Sequence, residues 1–330
     1  MPEILLLGVI GLAGVALAWW LLVTTEGVYL GRRVVVWLYD LYAHRYDRIK
    51  GFDPDDEATF LGRYVFHALE GAPAALVLDV ATGTGRLPLL LMEAPAFNGR
   101  VWGLDLSRRM LRVAAEKLAP YGQRTRLLWQ AAESLPFVDA AFDMVTCLEA
   151  LEFFTDQRAV LAEIARVLRP GGVLVTTRRL GRDAALMPGK ALSEENLAAL
   201  LGALGLEGVA FYPWQMDYDI VLAQKTGAPS AGKGGVRPLE EALCCPACRA
   251  AAFVETAGAL RCEACGARYP IAGDGVILLH GGGRRASAGR ARHASSSSGG
   301  SSSYSSSSHS SSSHSSSSHS SSSHSPSFSP

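Results

Sequence analysis

Two sets of residues in this chain have the types and spacing to do chemistry. The first is a quartet of cysteines. Cys245 and Cys248 form one C-x-x-C, Cys262 and Cys265 form another, and 13 residues separate the pairs. Two such knuckles present four thiolates that can close tetrahedrally on a structural Zn2+, with an interval slightly short of the usual range but suited to a compact β-ribbon. A pair of disulfides is the competing reading, and a reducing compartment disfavours it. Cys244, out of register, and Cys147, in an apolar run, are expected to be bystanders. The segment around the quartet, residues 241–280, is too small to build a sufficient core alone, so a metal would supply much of its stability.

The second set lies in "LVLDVATGTGRLPLL", Leu76 to Leu90. It starts as a short apolar run of the kind buried on both faces of a parallel sheet, breaks into small residues, and resumes as an apolar helix. Gly83 and Gly85 let a tight loop bring its backbone close to a ligand, and the following helix offers unpaired N–H groups. The ligand is not a phosphate. A dinucleotide fingerprint needs a third glycine where this chain has Pro88, and a P-loop needs a Gly-Lys-Ser/Thr ending that is missing. Asp79, beside the loop, repels a pyrophosphate but attracts an ammonium group, which points to a cationic, amino-acid-like ligand. About 25 residues on, "RVWGLDLS" ends in Asp105, an acid placed to accept hydrogen bonds from two ribose hydroxyls.

These groups need a frame, and the order of elements supplies one. "RLLWQAAESLPF" reads as a third strand entering a loop, and "AFDMVTCLEALEFF" as a fourth strand followed by a helix from about Asp156 to Leu168. "RPGGVLVTTRR" reads as a turn at Pro170-Gly171-Gly172 and a fifth strand, "ENLAALLGALGL" as a helix, and "VAFYPWQMDYDIVLAQK" as a closing antiparallel pair. Strands alternating with helices predict an α/β fold: a Rossmann-like, seven-stranded, mostly parallel sheet with its ligand at the strands' carboxyl ends.

In that order the stretches "LDVATGTG", "GLDLS", "AESLPF", "FDMVTCLEALEFF" and "LRPGG" resemble class I S-adenosylmethionine-dependent methyltransferases, in the broad group that includes the ubiquinone and menaquinone methylases. The resemblance covers residues 40–225. It implies S-adenosylmethionine as cofactor, with Gly83, Thr84 and Gly85 around its methionine part and Asp79 facing its amino group. It further implies Asp105 on the ribose, Leu106 against adenine, Ala132 and Glu133 at the adenine edge, and Tyr46 as an aromatic cover. There are departures. Ala81 replaces the family's first loop glycine, adding only a methyl; Ala131 precedes Ala132 where an acid is common; and Phe153 replaces a histidine after the fourth strand. No catalytic base is therefore assigned. Glu149 and Glu152 are the candidates, on a helix where one of them is expected to be solvated. Methyl transfer asks mainly for alignment and exclusion of water, so no catalytic residue need be conspicuous. The segment "CEACGARYPIAGDGVILL" resembles the small zinc-ribbon activator of tRNA, rRNA and release-factor methyltransferases, here fused to the enzyme.

The ends of the chain are biased. Ile4 to Thr25 contains no charged residue, and at about 1.5 Å per residue it matches a hydrocarbon core of roughly 30 Å. A cleaved signal peptide is the rival: Ala16 and Ala18 have the spacing of a cleavage site, but Glu3 stands where a basic region belongs. Residues 1–30 are read as a single-pass anchor, with Trp19, Trp20 and Tyr29 in the interfacial belt and Arg32 and Arg33 holding the body on the cytoplasmic side. The methyltransferase domain is expected over 31–225, opening with a juxtamembrane helix, a flexible linker over 226–240, the zinc ribbon over 241–280 and a disordered tail over 281–330. That tail is serine-rich with His309, His314, His319 and His324 at a five-residue interval. Net charge is zero, but every acidic residue lies at or before Asp274 and four arginines follow it. The body thus has no basic field to gather nucleic acid, although those arginines could touch anionic lipid or RNA.

The expected acceptor is a small molecule or membrane lipid such as a quinone or isoprenoid precursor. An RNA or protein acceptor, suggested by the ribbon, and a non-catalytic cofactor-binding scaffold are the alternatives. Neither the acceptor atom nor the oligomeric state is legible.

Overall fold

A computed structural model describes residues 2–228 and 239–280, all within one compact unit. The central part of the expected linker, the histidine-bearing tail and its arginines lie outside the described residues.

The sheet is built from β1 (Leu76–Val80), β2 (Arg100–Asp105), β3 (Thr125–Trp129), β4 (Phe142–Cys147), β5 (Leu168–Arg179), β6 (Leu206–Gln215) and β7 (Tyr218–Lys225). Three further strands, β8 (Phe253–Thr256), β9 (Ala259–Cys262) and β10 (Arg268–Pro270), form a separate antiparallel ribbon, and β11 (Ile277–Leu278) returns to the main sheet. The order is β11-β3-β2-β1-β4-β5-β7-β6, parallel but for β7, which runs antiparallel between β5 and β6. The seven expected strands are thus joined by an eighth, which the cysteine-bearing segment donates: Ile277 pairs with Leu128 and Leu278 with Trp129. Chain order reverses between β1 and β4, which opens a crevice beyond their carboxyl ends.

The helices are α1 (Pro2–Trp19), which covers neither face, and α2 (Arg32–Tyr42), α3 (Tyr46–Lys50), α4 (Pro54–Phe60), α5 (Gly62–Ala68), α6 (Arg86–Glu93), α7 (Arg108–Leu118), α8 (Gln157–Val167), α9 (Gly181–Ala185) and α10 (Glu194–Ala203). Several starts are set by side-chain caps. Ser107 accepts from Met110 N, Asp156 from Ala159 N and Ser193 from Asn196 N, satisfying amides the helices leave unpaired.

All five residues of β1 are buried, and alternate side chains serve two cores. Leu78 and Val80 join Trp102, Phe137 and Phe142 on one face; Val77 joins Leu87, Leu91 and Met144 on the other. Leu260 and Tyr269 of the ribbon belong to the first of these clusters, so the ribbon shares the domain's core. The fifth strand differs from expectation. It begins at Leu168 and runs through the Pro-Gly-Gly turn, with Gly171 at φ +75° accommodating the shift in register against β4.

The apolar N-terminal helix is exposed along α1 and continues as a wider turn over Trp20–Thr24. Its end is tied to the domain: the Trp20 indole donates to Leu186 O at 3.2 Å, the Tyr29 hydroxyl to Pro188 O at 2.8 Å, and Thr25 and Val28 are buried.

Candidate functional site

At the end of β1 the backbone turns through Ala81 (φ +59°), Gly83 (φ +54°) and Gly85 (φ +80°) before α6 starts. A Cβ on Gly83 would meet nothing within 4 Å, so the loop presents its main chain to open space there, whereas one on Gly85 would stand 3.1 Å from Ala114, where the loop packs on α7. The first glycine leaves its surroundings open, and the second serves packing. Ala81 is more than the addition of a methyl, because it holds a left-handed conformation that a side chain disfavours.

Two carboxylates flank this loop. Asp79 is almost fully buried and accepts from the Thr146 hydroxyl at 2.6 Å; burial pushes its pKa up to about 6. Asp105 accepts from Gly83 N at 2.8 Å and Ser107 N at 2.7 Å, which ties the second strand's end to the glycine loop. Burial raises the Asp105 carboxyl above its ordinary value against the pull of these amides. Neither acid has an ion-pair partner among the described residues, although Arg86 acts on Asp79 from a distance, and a cation in the crevice would relieve both.

The crevice has two adjoining parts. The larger, about 130 Å³, is mostly apolar and extends from Gly83, Asp105 and Leu106 past Ala132 and Glu133. The smaller, about 50 Å³, is bounded by Asp79, Ala81, Thr84 and Leu148. Tyr46 borders both. Every expected cofactor-contacting residue except Gly85 therefore lines one of these two spaces, which share Tyr46, Ala81 and Gly83.

Several lining residues were not expected from the sequence. Arg32, Val35, Val36 and Tyr39 form one wall, and their i, i+3, i+4, i+7 spacing is the signal that could have revealed them. Arg32 pairs with Glu133 at 3.3 Å. Arg86 is a second surprise. A cation in a helix's first turn opposes the dipole unless carboxylates answer it, and here Glu57 does so at 2.6 and 2.7 Å and Glu149 at 2.6 Å. Its guanidinium also lies 4.0 Å from the Phe52 ring centre. Arg86 thus fastens the α3–α4 segment over the crevice.

The expectation that Glu149 or Glu152 would be solvated on a helix is corrected. Glu149 occupies a turn at φ +49°, and Glu152 a single 3-10 turn; arginines reach both, and Glu152 is buried while the Glu149 side chain is 8% exposed. Burial works to raise the Glu149 carboxyl, but Lys50 and Arg86 outweigh it and hold it below its ordinary value. Glu152 accepts from the Tyr218 hydroxyl at 2.6 Å and from Arg179 at 3.2 Å, and burial still leaves it raised. Phe153 lies edge-on to Tyr39, with centres 5.7 Å apart, in the place expected to need a base.

The four cysteine sulfurs Cys245, Cys248, Cys262 and Cys265 converge, with ligand atoms all within 4.8 Å of one another. Cys245 Sγ is 3.7 Å from Cys265 Sγ, and Cys248 Sγ is 3.6 Å from Cys262 Sγ. Four sulfurs about 2.3 Å from a tetrahedral Zn2+ are about 3.8 Å apart, so these residues fit a metal of that kind. Cys244 and Cys147 are buried away from this group. The ribbon also reaches the crevice's frame. His280 N and Leu279 N donate to Trp129 O, and the Trp129 indole donates to Leu106 O at 2.8 Å.

Comparison with known proteins agrees with this geometry. Residues 77–172 match the family described as a methyltransferase domain. A demethylmenaquinone methyltransferase of Thermus thermophilus is 41% identical over 141 residues, covering 42% of this chain and 62% of that protein. A ubiquinone/menaquinone biosynthesis C-methyltransferase of Burkholderia mallei is 42% identical over 100 residues, covering 30% of this chain and 41% of that protein. The solved structure of an S-adenosylmethionine-dependent methyltransferase from Aquifex aeolicus superposes with a TM-score of 0.45 at 24% identity, over 53% of this chain and 95% of that one. The sequence matches support a class I S-adenosylmethionine-dependent methyltransferase domain in this chain. Its match spans about two fifths to three fifths of the length of these two curated relatives.

Proposed function

We propose that the protein is a membrane-anchored methyltransferase that uses S-adenosylmethionine to methylate a small-molecule or lipid acceptor of quinone or isoprenoid type. The observation that carries the reading is the pair of acids, buried Asp79 and half-buried Asp105, bracketing the open main chain at Gly83. Asp79 would face the cofactor's ammonium, Asp105 its ribose, and Leu106 and Ala132 its adenine, with Tyr46 closing over it. S-adenosylmethionine supplies an activated methyl when bound. The chain's part is to orient both reactants and exclude water, and the apolar wall of Val35, Val36, Tyr39 and Phe153 suits that role. No residue is assigned as a base, since the carboxylates of Glu149 and Glu152 are both held by cations.

The names of the two curated relatives support a quinone-like acceptor. The apolar helix over Pro2–Thr24 supports a membrane-side supply of it, and Arg32 and Arg33 support a cytoplasmic body. The cysteine quartet would hold Zn2+ as a structural ion. Incubating the protein with membranes, RNA and methyl-labelled cofactor tests the reading. Label should appear in extractable lipid. Label in nucleic acid or protein would establish the ribbon-assisted alternative, and cofactor uptake without transfer would establish a scaffold.

A further inference from the structure

The stretch between the apolar helix and the crevice has two faces of different chemistry. Residues 25–50 contain three acids, and all three turn inward. Glu26 accepts from the Tyr39 hydroxyl and faces Arg179, Asp40 accepts from the Ser107 hydroxyl at 2.6 Å, and Asp47 meets Thr84 and Lys117. The outward face is basic and apolar. Arg33, Arg45 and Arg48 are exposed and have no hydrogen-bond or ion-pair partner among the described residues. Between them Trp37, Leu41 and Ile49 are each more than half exposed, with Leu30 and Tyr42 nearly so. The helix that bears most of this face is pressed against the end of the apolar span: a Cβ on Gly27 would lie 2.9 Å from Val34 and 3.0 Å from Leu38.

We propose that the outer face of α2 and α3 lies in the headgroup layer of an anionic bilayer. Continuity fixes the depth. The Pro2–Thr24 span ends three residues before Gly27, the Trp20 and Tyr29 rings stack at 5.2 Å at that boundary, and Val34 and Leu38 touch the same turn. Trp37 therefore lies on the same turn of α2 as Val34 and Leu38, which meet the chain three residues past the span's end. Charge fixes the lipid: an amphipathic face with aromatic and leucine side chains flanked by arginines, and with its acids withdrawn, matches an anionic surface and no neutral one. The inner face of the same helix lines the crevice through Arg32, Val35, Val36 and Tyr39. One helix then separates the headgroups from the crevice, and a lipid acceptor would pass around it. The membrane contact rests on the anchor in the proposed function, and that last step on its acceptor as well.

The test uses the full chain, labelled with 5-fluorotryptophan, in nanodiscs of phosphatidylcholine with and without phosphatidylglycerol. The Trp37 fluorine resonance is assigned by its loss in Trp37→Phe. In anionic discs, a lipid spin-labelled near the headgroup should broaden this resonance at least two-fold, as it does Trp19, while leaving buried Trp102 sharp. The triple variant Arg33→Glu, Arg45→Glu, Arg48→Glu should abolish the broadening and expose Trp37 to a water-soluble paramagnet. Unchanged near-ultraviolet circular dichroism serves as the fold check, and comparison of anionic with neutral discs for the wild type needs no variant at all. If Trp37 is broadened only by the soluble paramagnet, or equally in neutral and anionic discs, the inference is wrong. Calorimetry with S-adenosylmethionine on the same samples separates the two readings. Uptake without membrane contact overturns only this inference, while contact without uptake upholds it and overturns the methyltransferase reading.

Discussion

Arg108, the first residue of α7, donates from one guanidinium nitrogen to both carboxylate oxygens of Asp274, at 2.6 and 2.7 Å, and so joins the loop behind Asp105 to the cysteine-bearing ribbon. Each side chain is about a quarter exposed, which limits the pair's worth. Asp274→Ala should cost about 1 kcal/mol, a fall in Tm of about 2–4 °C. The Asp274 carboxyl keeps a net lowered pKa: burial pulls it upward, and the Arg108 contact outweighs that. A carboxyl lowered in the folded state stabilises above its unfolded pKa, and that stabilisation is lost as pH falls through the folded value. Thermal melts of wild type and variant should therefore differ at neutral pH and converge in acid. A constant gap across the titration would show that the ion pair is not the source.

Removing the metal should undo more than the ribbon. The two-residue strand β11 has no independent stability, and its register on β3 depends on the segment that four sulfurs gather. A strong chelator at neutral pH should raise hydrogen exchange at Leu279 and His280, which donate to Trp129 O, and at Val138 and Cys244, which bond to Ala242 O and Pro136 O. Amides of β1 and β4 should stay protected. If metal release is verified and those four amides keep their protection, the ribbon folds without metal.

Ala81 offers a test of local strain. At φ +59° it holds the left-handed region, which costs a non-glycine residue roughly 1–2 kcal/mol, while glycine brings back about 0.4–1 kcal/mol of unfolded-state entropy. Ala81→Gly should thus stabilise by up to about 1 kcal/mol, read as a higher urea midpoint at unchanged slope. A lower midpoint would mean that the methyl makes packing contacts worth more than the strain.

How much of this was legible in the sequence follows from what kind of force places each residue. The strand–loop–helix at Leu76 to Leu90 was readable because its apolar run, glycines and resumed periodicity all arise locally. Asp79 and Asp105 followed from their places at strand ends. Glu149 and Glu152 did not, because their burial depends on Arg86 and Arg179 arriving from distant elements, and no local pattern encodes that meeting. The eighth strand was hidden for a similar reason. "GVILL" is too short to announce itself, and only the unpaired edge of β3, invisible in sequence, makes it a strand. The inner face of α2 is readable in principle from its spacing, yet a helix face does not say what it packs against.

Asp79 supplies the sharpest prediction, since one titration governs both stability and ligand uptake. Its folded pKa is about 6 against an ordinary value of 3.8, so the folded protein holds a proton that the unfolded chain has lost between those values. A raised carboxyl contributes stability that is fully present below the unfolded pKa and is lost as pH rises through about 6; two pKa units correspond to about 3 kcal/mol. Asp79→Asn should abolish this dependence and make the unliganded protein more stable than wild type at pH 7.5. Ligand uptake should run the other way. A cation opposite Asp79 favours the ionised form, so binding of S-adenosylmethionine should expel a proton near pH 5–6, and Kd should rise toward tenfold for each pH unit below about 6. Calorimetry in two buffers of different ionisation heat measures that proton directly. Asp79→Asn should bind more weakly at pH 7.5 and lose the pH dependence. A wild-type Kd that stays flat from pH 5 to 7.5, with no buffer-dependent heat, would show that Asp79 does not face the ligand's charge.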